Sequence, residues 1–159
     1  MIRYALRCAQ DHRFESWFQS AEAFDKLARV MGLGFPGGPA IDSAAMSGDP
    51  EAIAFPRAMI GDGLDFSFSG LKTAVVNHVR DNPRVSTEDV AASFQAAVVD
   101  ALVTKTARAA ADYRATAVHL AGGVSANRAL RKAMKEALDI PVRVPPPELC
   151  TDNAAMIAA

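Results

Sequence analysis

Three short stretches place a carboxylate or a carboxamide beside backbone that a ligand can approach closely. In "AGGVSAN", Gly122 and Gly123 remove side chains between an apolar run and a helix, and Asn127 follows at the helix start. Such a turn is either a tight strand-to-helix connection with an Asn cap, or a cradle whose exposed N–H groups meet a polar or anionic ligand. It has neither the G-x-G-x-x-G nor the P-loop spacing, so no Rossmann or Walker mechanism follows from it. In "CTDN", Asp152 stands after a strand and a proline run and before a helix. There it serves as an N-cap or, at a strand's carboxyl end, as a cation ligand. In "EAFDKLARVMGLGFPGGP", Asp25 sits in the middle of an amphipathic helix, usually the place of a solvated residue, and Gly37-Gly38 reads as a turn. Taken singly, each stretch leaves both of its readings open.

The other reactive side chains form no catalytic pattern. His12, His78 and His119 have no HxxH or HxxxH spacing and read as structural, His119 within a buried strand. Ser67 and Ser69 in "FSFSG" lack the nucleophile-elbow pattern and a partner histidine. Cys8 and Cys150 have no CxxC spacing, make no disulfide framework and suit a reducing cytoplasm. Cys150, beside Asp152, is a conceivable soft-metal ligand, although a lone cysteine is more often a small buried hydrophobe. No Ser, Cys or HExxH arrangement supports protein hydrolysis.

The totals set the frame in which these residues must be held. A chain of 159 residues, half of them apolar and with a net charge of −1, is a globular composition of about one domain or lobe. No apolar run approaches the ~20 residues of a membrane span, and the first residues make a poor signal peptide. The near-neutral balance argues against an autonomous nucleic-acid-binding domain, while leaving room for tRNA held partly by partner proteins.

Periodicity supplies the positioning elements. Residues 1–20 hold the only Trp, show no clean period, and read as a short helix or an irregular arm. Phe24, Leu27, Ala28 and Met31 then fall at helical spacing before Gly32 and Gly34. A Pro36-Gly37-Gly38-Pro39 turn leads into a short helix. "AFPRAM" and "LDFSFSG" read as a strand pair around Gly61-Asp62-Gly63, and "LKTAVVNHVRDN" as a helix ending before Pro83. From Ser86, spaced from Asp89 as in a capping box, runs the clearest helix, with an apolar stripe of Val90, Phe94, Ala97, Val98, Ala101 and Leu102. A buried strand in "ATAVHLAGG", a helix from Asn127, a strand in "IPVRVPPP" and a helix after Cys150 complete an α-β-α-β-α alternation, which predicts an α/β layer architecture.

Together, "EAFDKLARVMGLGFPGGPAID", "FPRAM", "DFSFSGLKTAV", "LAGGVSANRALR" and "CTDNAAMIA" occur in the order, and at nearly the spacing, of the TsaD-type tRNA adenosine threonylcarbamoyltransferases, once labelled glycoproteases. The resemblance covers roughly residues 21–159. It implies a helix-rich α/β lobe of the actin, Hsp70 and sugar-kinase type, the C-terminal one and incomplete. It also implies transfer of threonylcarbamoyl from threonylcarbamoyl-adenylate to N6 of the adenosine 3′ of certain tRNA anticodons, in the cytoplasm and away from any membrane. By motif, Asp25 matches the acid that binds the nucleotide ribose, Gly38 and Asp42 match further nucleotide contacts, and Asn127 matches another substrate contact. Asp152 matches the carboxylate ligand of a divalent iron or zinc. Carboxylates accept from ribose hydroxyls and an oxygen ligand suits a Lewis-acid cation, so the chemistry agrees. The implied partners are tRNA and the small proteins of the same complex, an inactive paralogue and an ATPase subunit.

The departures are equally specific. The family's histidine pair of metal ligands and its Ser-Gly-Gly-His-Thr phosphate segment have no counterpart in this sequence, and Ala21 stands where the family has Gly. The expectation is therefore a divergent segment over 1–20 and a partial lobe over 21–159, inactive alone and prone to associate through an uncovered edge. No catalytic residue is assigned. The alternative is a non-catalytic nucleotide-binding or scaffold pseudo-enzyme of the same complex.

Overall fold

Ile, Tyr, Phe and Trp without Gly or Pro favour extended backbone, and the first described elements are strands. A computed structural model describes residues 2–7, 13–18, 21–57, 59–61 and 63–150. Strands β1 (Ile2–Arg7) and β2 (Arg13–Phe18) pair antiparallel, from Ile2 opposite Phe18 to Arg7 opposite Arg13. This corrects the expected helix or arm. The missing helical period reflects a ladder whose hydrogen bonds cross between segments, so neither segment carries a 3.6-residue pattern. The chain divides into two units, residues 1–101 and 102–159.

In the first unit, α1 (Ala21–Val30) and α2 (Gly37–Ala44) pack on each other. Leu27, Ala28 and Met31 are buried, as their spacing predicts. Beyond α1 the chain closes on Gly32, whose φ of 77° suits glycine. The Leu33 amide reaches back to Ala28 O (2.8 Å) and the Gly32 amide to Arg29 O (3.0 Å), a Schellman closure. Helix α3 (Ser69–Asp81) buries Leu71 and Val75 against the same core, which also holds Ile41, Phe55, Val90, Phe94 and Ala97. Phe24 meets Phe94 edge to face at 6.4 Å.

The long helix α4 (Thr87–Asp112) starts as its cap predicts, the Ser86 hydroxyl accepting the Asp89 amide at 3.1 Å. Only half of the box forms, because the Asp89 carboxylate accepts the Asp49 amide at 2.9 Å. Ser93, 1 % exposed, accepts the Ile53 amide and donates to Asp49 O, so the 45–55 loop is stitched to α4. Gly48 lies so close to the Glu88 backbone that a side chain there would collide with it.

The expected strand pair around 61–63 does not form. Residues 54–57 and 65–68 are irregular, and the alternating aromatics Phe66 and Phe68 stack on each other with an 11° interplanar angle. Alternation places such residues on one side of an extended chain, but no strand pairs with them among the described residues. Arg57 instead donates to Phe55 O at 3.0 Å and pairs with Asp100 at 2.7 Å.

The second unit carries the expected βαβ order. Strands β3 (Val118–His119) and β4 (Val142–Arg143) pair in parallel and flank α5 (Arg128–Ala137). Parallel neighbours need such a crossover. The ladder is shorter than the apolar run suggests. Val118 is half-buried and His119 exposed, which corrects the buried placement of His119: a two-residue ladder covers one face only, and the second side chain of each strand turns outward. Helix α5 buries Leu130 and Met134, four residues apart. Among the described residues, no helix is long and apolar enough to cross a membrane.

Candidate nucleotide-binding turns

The predicted site residues among those described fall into two local constellations, one in each unit. In the first, Asp25 projects from the middle of α1, half-buried, and its Oδ1 accepts the Gly37 amide at 2.9 Å. Helix α2 has no side-chain cap of its own, with Pro36 at its N-cap. Asp25 therefore satisfies one of the amides that a helix start leaves open, from a different helix. Its second oxygen, Oδ2, takes no part in this bond. Gly37 is glycine for want of space: a Cβ there would lie 2.5 Å from the Phe24 carbonyl oxygen. Gly38 is exposed with no atom within 4 Å of the corresponding Cβ position. Asp42 lies one turn along α2 from Gly38 and is half-buried, with interactions of its own. The structure thus brings Asp25 to the start of α2, with Gly38 and Asp42 following along that helix.

In the second constellation, β3 delivers the chain to Gly122, whose φ is 80°. That conformation is strained for any side chain. A short 3-10 turn, Gly123–Ala126, follows; the Ser125 amide and hydroxyl both donate to Gly122 O, at 2.9 and 2.7 Å. Ser125 is 2 % exposed, so this double bond keeps a buried hydroxyl satisfied. Asn127 is the N-cap of α5, its Oδ1 accepting the Leu130 amide at 2.9 Å. Gly123 is exposed, and no atom lies within 4 Å of its Cβ position. The turn is therefore a tight strand-to-helix connection with an Asn cap; both glycines have open space at the Cβ position, and only Gly122 has a positive φ.

Sequence reasoning missed Arg131. Its guanidinium donates to Ser125 O, to Pro145 O at 2.8 Å and to the Cys150 sulfur at 3.0 Å. A signal existed: Arg131 lies four residues after Asn127 and three before Met134, next to the buried stripe of α5. Cys150 is 2 % exposed and contributes its thiol proton to Pro146 O at 3.3 Å, which matches the small-hydrophobe reading in burial and adds a polar role.

Other candidates resolve into structural contacts. His78 presents its ring edge-on to Phe55 at 5.7 Å. The Ser67 and Ser69 hydroxyls share a hydrogen bond at 3.3 Å. Burial pushes the Lys72 ammonium below its ordinary range. An open groove of about 640 Å³ beside Ile53, His78, Asn82, Pro83 and Asp89 includes none of the predicted site residues. Asp152 and His12 lie outside the described residues. Among the described residues, no three His, Cys, Asp or Glu side chains converge as metal ligands. The described residues do not include Asp152, the carboxylate that the resemblance assigns to the cation.

The sequence profile of the family described as "TsaD: tRNA N6-adenosine threonylcarbamoyltransferase" matches residues 8–159. The chain belongs to this family. The match includes residues 8–20, which the five motifs did not reach. Proteins named tRNA N6-adenosine threonylcarbamoyltransferase are similar at high identity. That of Moorella thermoacetica is 56% identical over 146 residues, covering 87% of this chain and 43% of the relative. That of Thermomicrobium roseum is 51% identical over 162 residues, covering 87% of this chain and 44% of the relative. The Kosmotoga olearia protein is 52% identical over 143 residues, with 87% and 43% covered. The chain thus spans less than half the length of these TsaD relatives. The TsaD family is of the actin-like type, and the helix-rich α/β order of the second unit agrees with that class.

Proposed function

We propose that this chain supplies the C-terminal, nucleotide-holding part of a tRNA N6-adenosine threonylcarbamoyltransferase, an incomplete C-terminal lobe of the actin-like fold. In the proposed reaction, N6 of the adenosine 3′ of the anticodon attacks the carbamoyl carbon of threonylcarbamoyl-adenylate. A C–N bond forms, the C–O bond to the phosphoryl group breaks, AMP leaves, and N6 loses a proton. The observation that carries this reading is the open second glycine of each pair, Gly38 and Gly123. Each lies beside a side chain engaged at a helix start, Asp25 or Asn127. Ligands of α/β sheets bind beyond the carboxyl ends of strands, where Gly122–Gly123 follows β3.

The roles are those the resemblance implies, and the local geometry is compatible with them. Asp25, held by its Oδ1 bond to Gly37, would turn Oδ2 to a ribose hydroxyl. Gly38 would admit a flat base, with Asp42 as a second polar contact on the same helix. Asn127, fixed by its cap bond, would hold the 122–127 turn against the substrate. The work is positioning of a reactive acyl adenylate. The proposed setting is the cytoplasm, with tRNA and the small partner subunits of the same pathway.

Spanning less than half the length of its relatives, the chain alone is expected to bind AMP weakly and to transfer nothing. Titration calorimetry with AMP, followed by incubation with tRNA and labelled threonylcarbamoyl-adenylate, tests both parts. Absence of AMP binding would remove the nucleotide reading, and turnover without added subunits would remove the dependence on them.

A further inference from the structure

The geometry points to Arg131 as the positioning residue of the 122–127 turn: one guanidinium ties this turn to the Pro145–Cys150 loop, so that the two respond to a ligand as one piece. The three acceptors lie far apart in sequence, at 125, 145 and 150, and reach the same side chain. All are main-chain oxygens or a thiol; among the described residues no carboxylate pairs with Arg131. An Arg placed for charge neutralisation would face an acid. Here the guanidinium acts as a rigid fork with fixed donor directions, which an ammonium on a flexible stem does not reproduce.

Each clamped segment also carries local bonds of its own. The turn holds itself through Ser125 and Gly122 O, and the loop through the Leu149 amide on Pro146 O and the Cys150 amide on Pro147 O. None of those bonds joins turn to loop. The β3–β4 ladder, two residue pairs long, stops just short of both segments, with a further bond from the Leu120 amide to Arg143 O at 2.9 Å. Arg131, at the fourth position of α5, closes that gap. The sequence that continues from the clamped loop is Thr151-Asp152. Displacing the guanidinium is therefore expected to loosen turn and loop together while α5, capped by Asn127, stays helical.

The test reads the loop through its own thiol. The sequence contains two cysteines, so a Cys8→Ser background leaves Cys150 as the single alkylation site. Iodoacetamide labelling of the native chain should be slow, because Cys150 is 2 % exposed. Arg131→Lys keeps the charge and loses the fork; it should raise the labelling rate about tenfold with the melting temperature within about 3 °C of the parent, as for a local opening. AMP affinity, which rests on the proposed function, should fall about tenfold in the same variant, a split between binding and stability that a merely structural role would not produce. Arg131→Gln, shorter and with two donors, should expose Cys150 at least as much as the lysine variant.

Unchanged Cys150 protection in Arg131→Lys would overturn the assignment. Loss of helical circular dichroism in both variants would also overturn it, making Arg131 a folding determinant. If the parent binds no AMP while Arg131→Lys still exposes Cys150, the nucleotide reading falls and the coupling of turn to loop stands.

Discussion

Two Gly-Gly pairs, 37–38 and 122–123, look alike in sequence and are built on different physics. At the first, Gly37 is demanded by space, since α2 starts against the backbone of α1 at Phe24. At the second, Gly122 is demanded by conformation, with φ at 80° and nothing within 4 Å of its Cβ position. In both pairs the second glycine meets neither demand: Gly38 and Gly123 have open surroundings and no positive φ. The structural need of each turn is therefore met by its first glycine. The second is required by neither, and under the proposed function its bare backbone would serve the ligand.

This comparison can be broken by substitution. Gly37→Ala should be the most damaging, because the clash is with helix backbone that cannot swing aside. About 3 kcal/mol of stability should be lost, measured by urea unfolding, with α1 and α2 forced apart. Gly122→Ala should lose about 2 kcal/mol, the strain of a positive-φ, extended-ψ conformation essentially restricted to glycine, without any packing defect. Equal losses at the two positions would remove the distinction between space and conformation. Asn127→Ala should cost about 1 kcal/mol through the lost cap, and Asn127→Ser or Asn127→Asp should recover most of it. Gly38→Ala and Gly123→Ala should change stability by no more than about 0.5 kcal/mol, Gly38→Ala even gaining slightly as a helical position. AMP affinity should nevertheless drop in both; an alanine at either site that leaves binding intact would take that glycine out of the proposed ligand surface.

Legibility followed the range of the forces involved. Helices α1, α3, α4 and α5 were readable because their buried positions recur every three or four residues and their ends carry local signals. The Ser86 and Asn127 caps form as their spacing predicts. Readings failed where a segment's state depends on what lies beside it. The β1–β2 hairpin carries no period of its own, and "LDFSFSG" has the alternation of a strand but no strand to pair with. His119 follows an apolar run, yet its ladder is too short to bury it. Arg131 reads locally as one more charge on a helix, and only the approach of residues 125, 145 and 150 turns it into a clamp.

By itself, then, the sequence determined the α/β order of the second unit, the starts of α4 and α5, and membership of the TsaD family through motifs spread from Glu22 to Ala158. These rest on local periodicity and on residue identity, which one-dimensional information carries. Tertiary structure decided which glycine of each pair is required, that Asp25 serves the start of a neighbouring helix, and that Arg131 joins turn to loop. Apart from the positive φ of Gly122, each depends on atoms distant in sequence meeting within about 3 Å, the range at which hydrogen bonds and steric exclusion act.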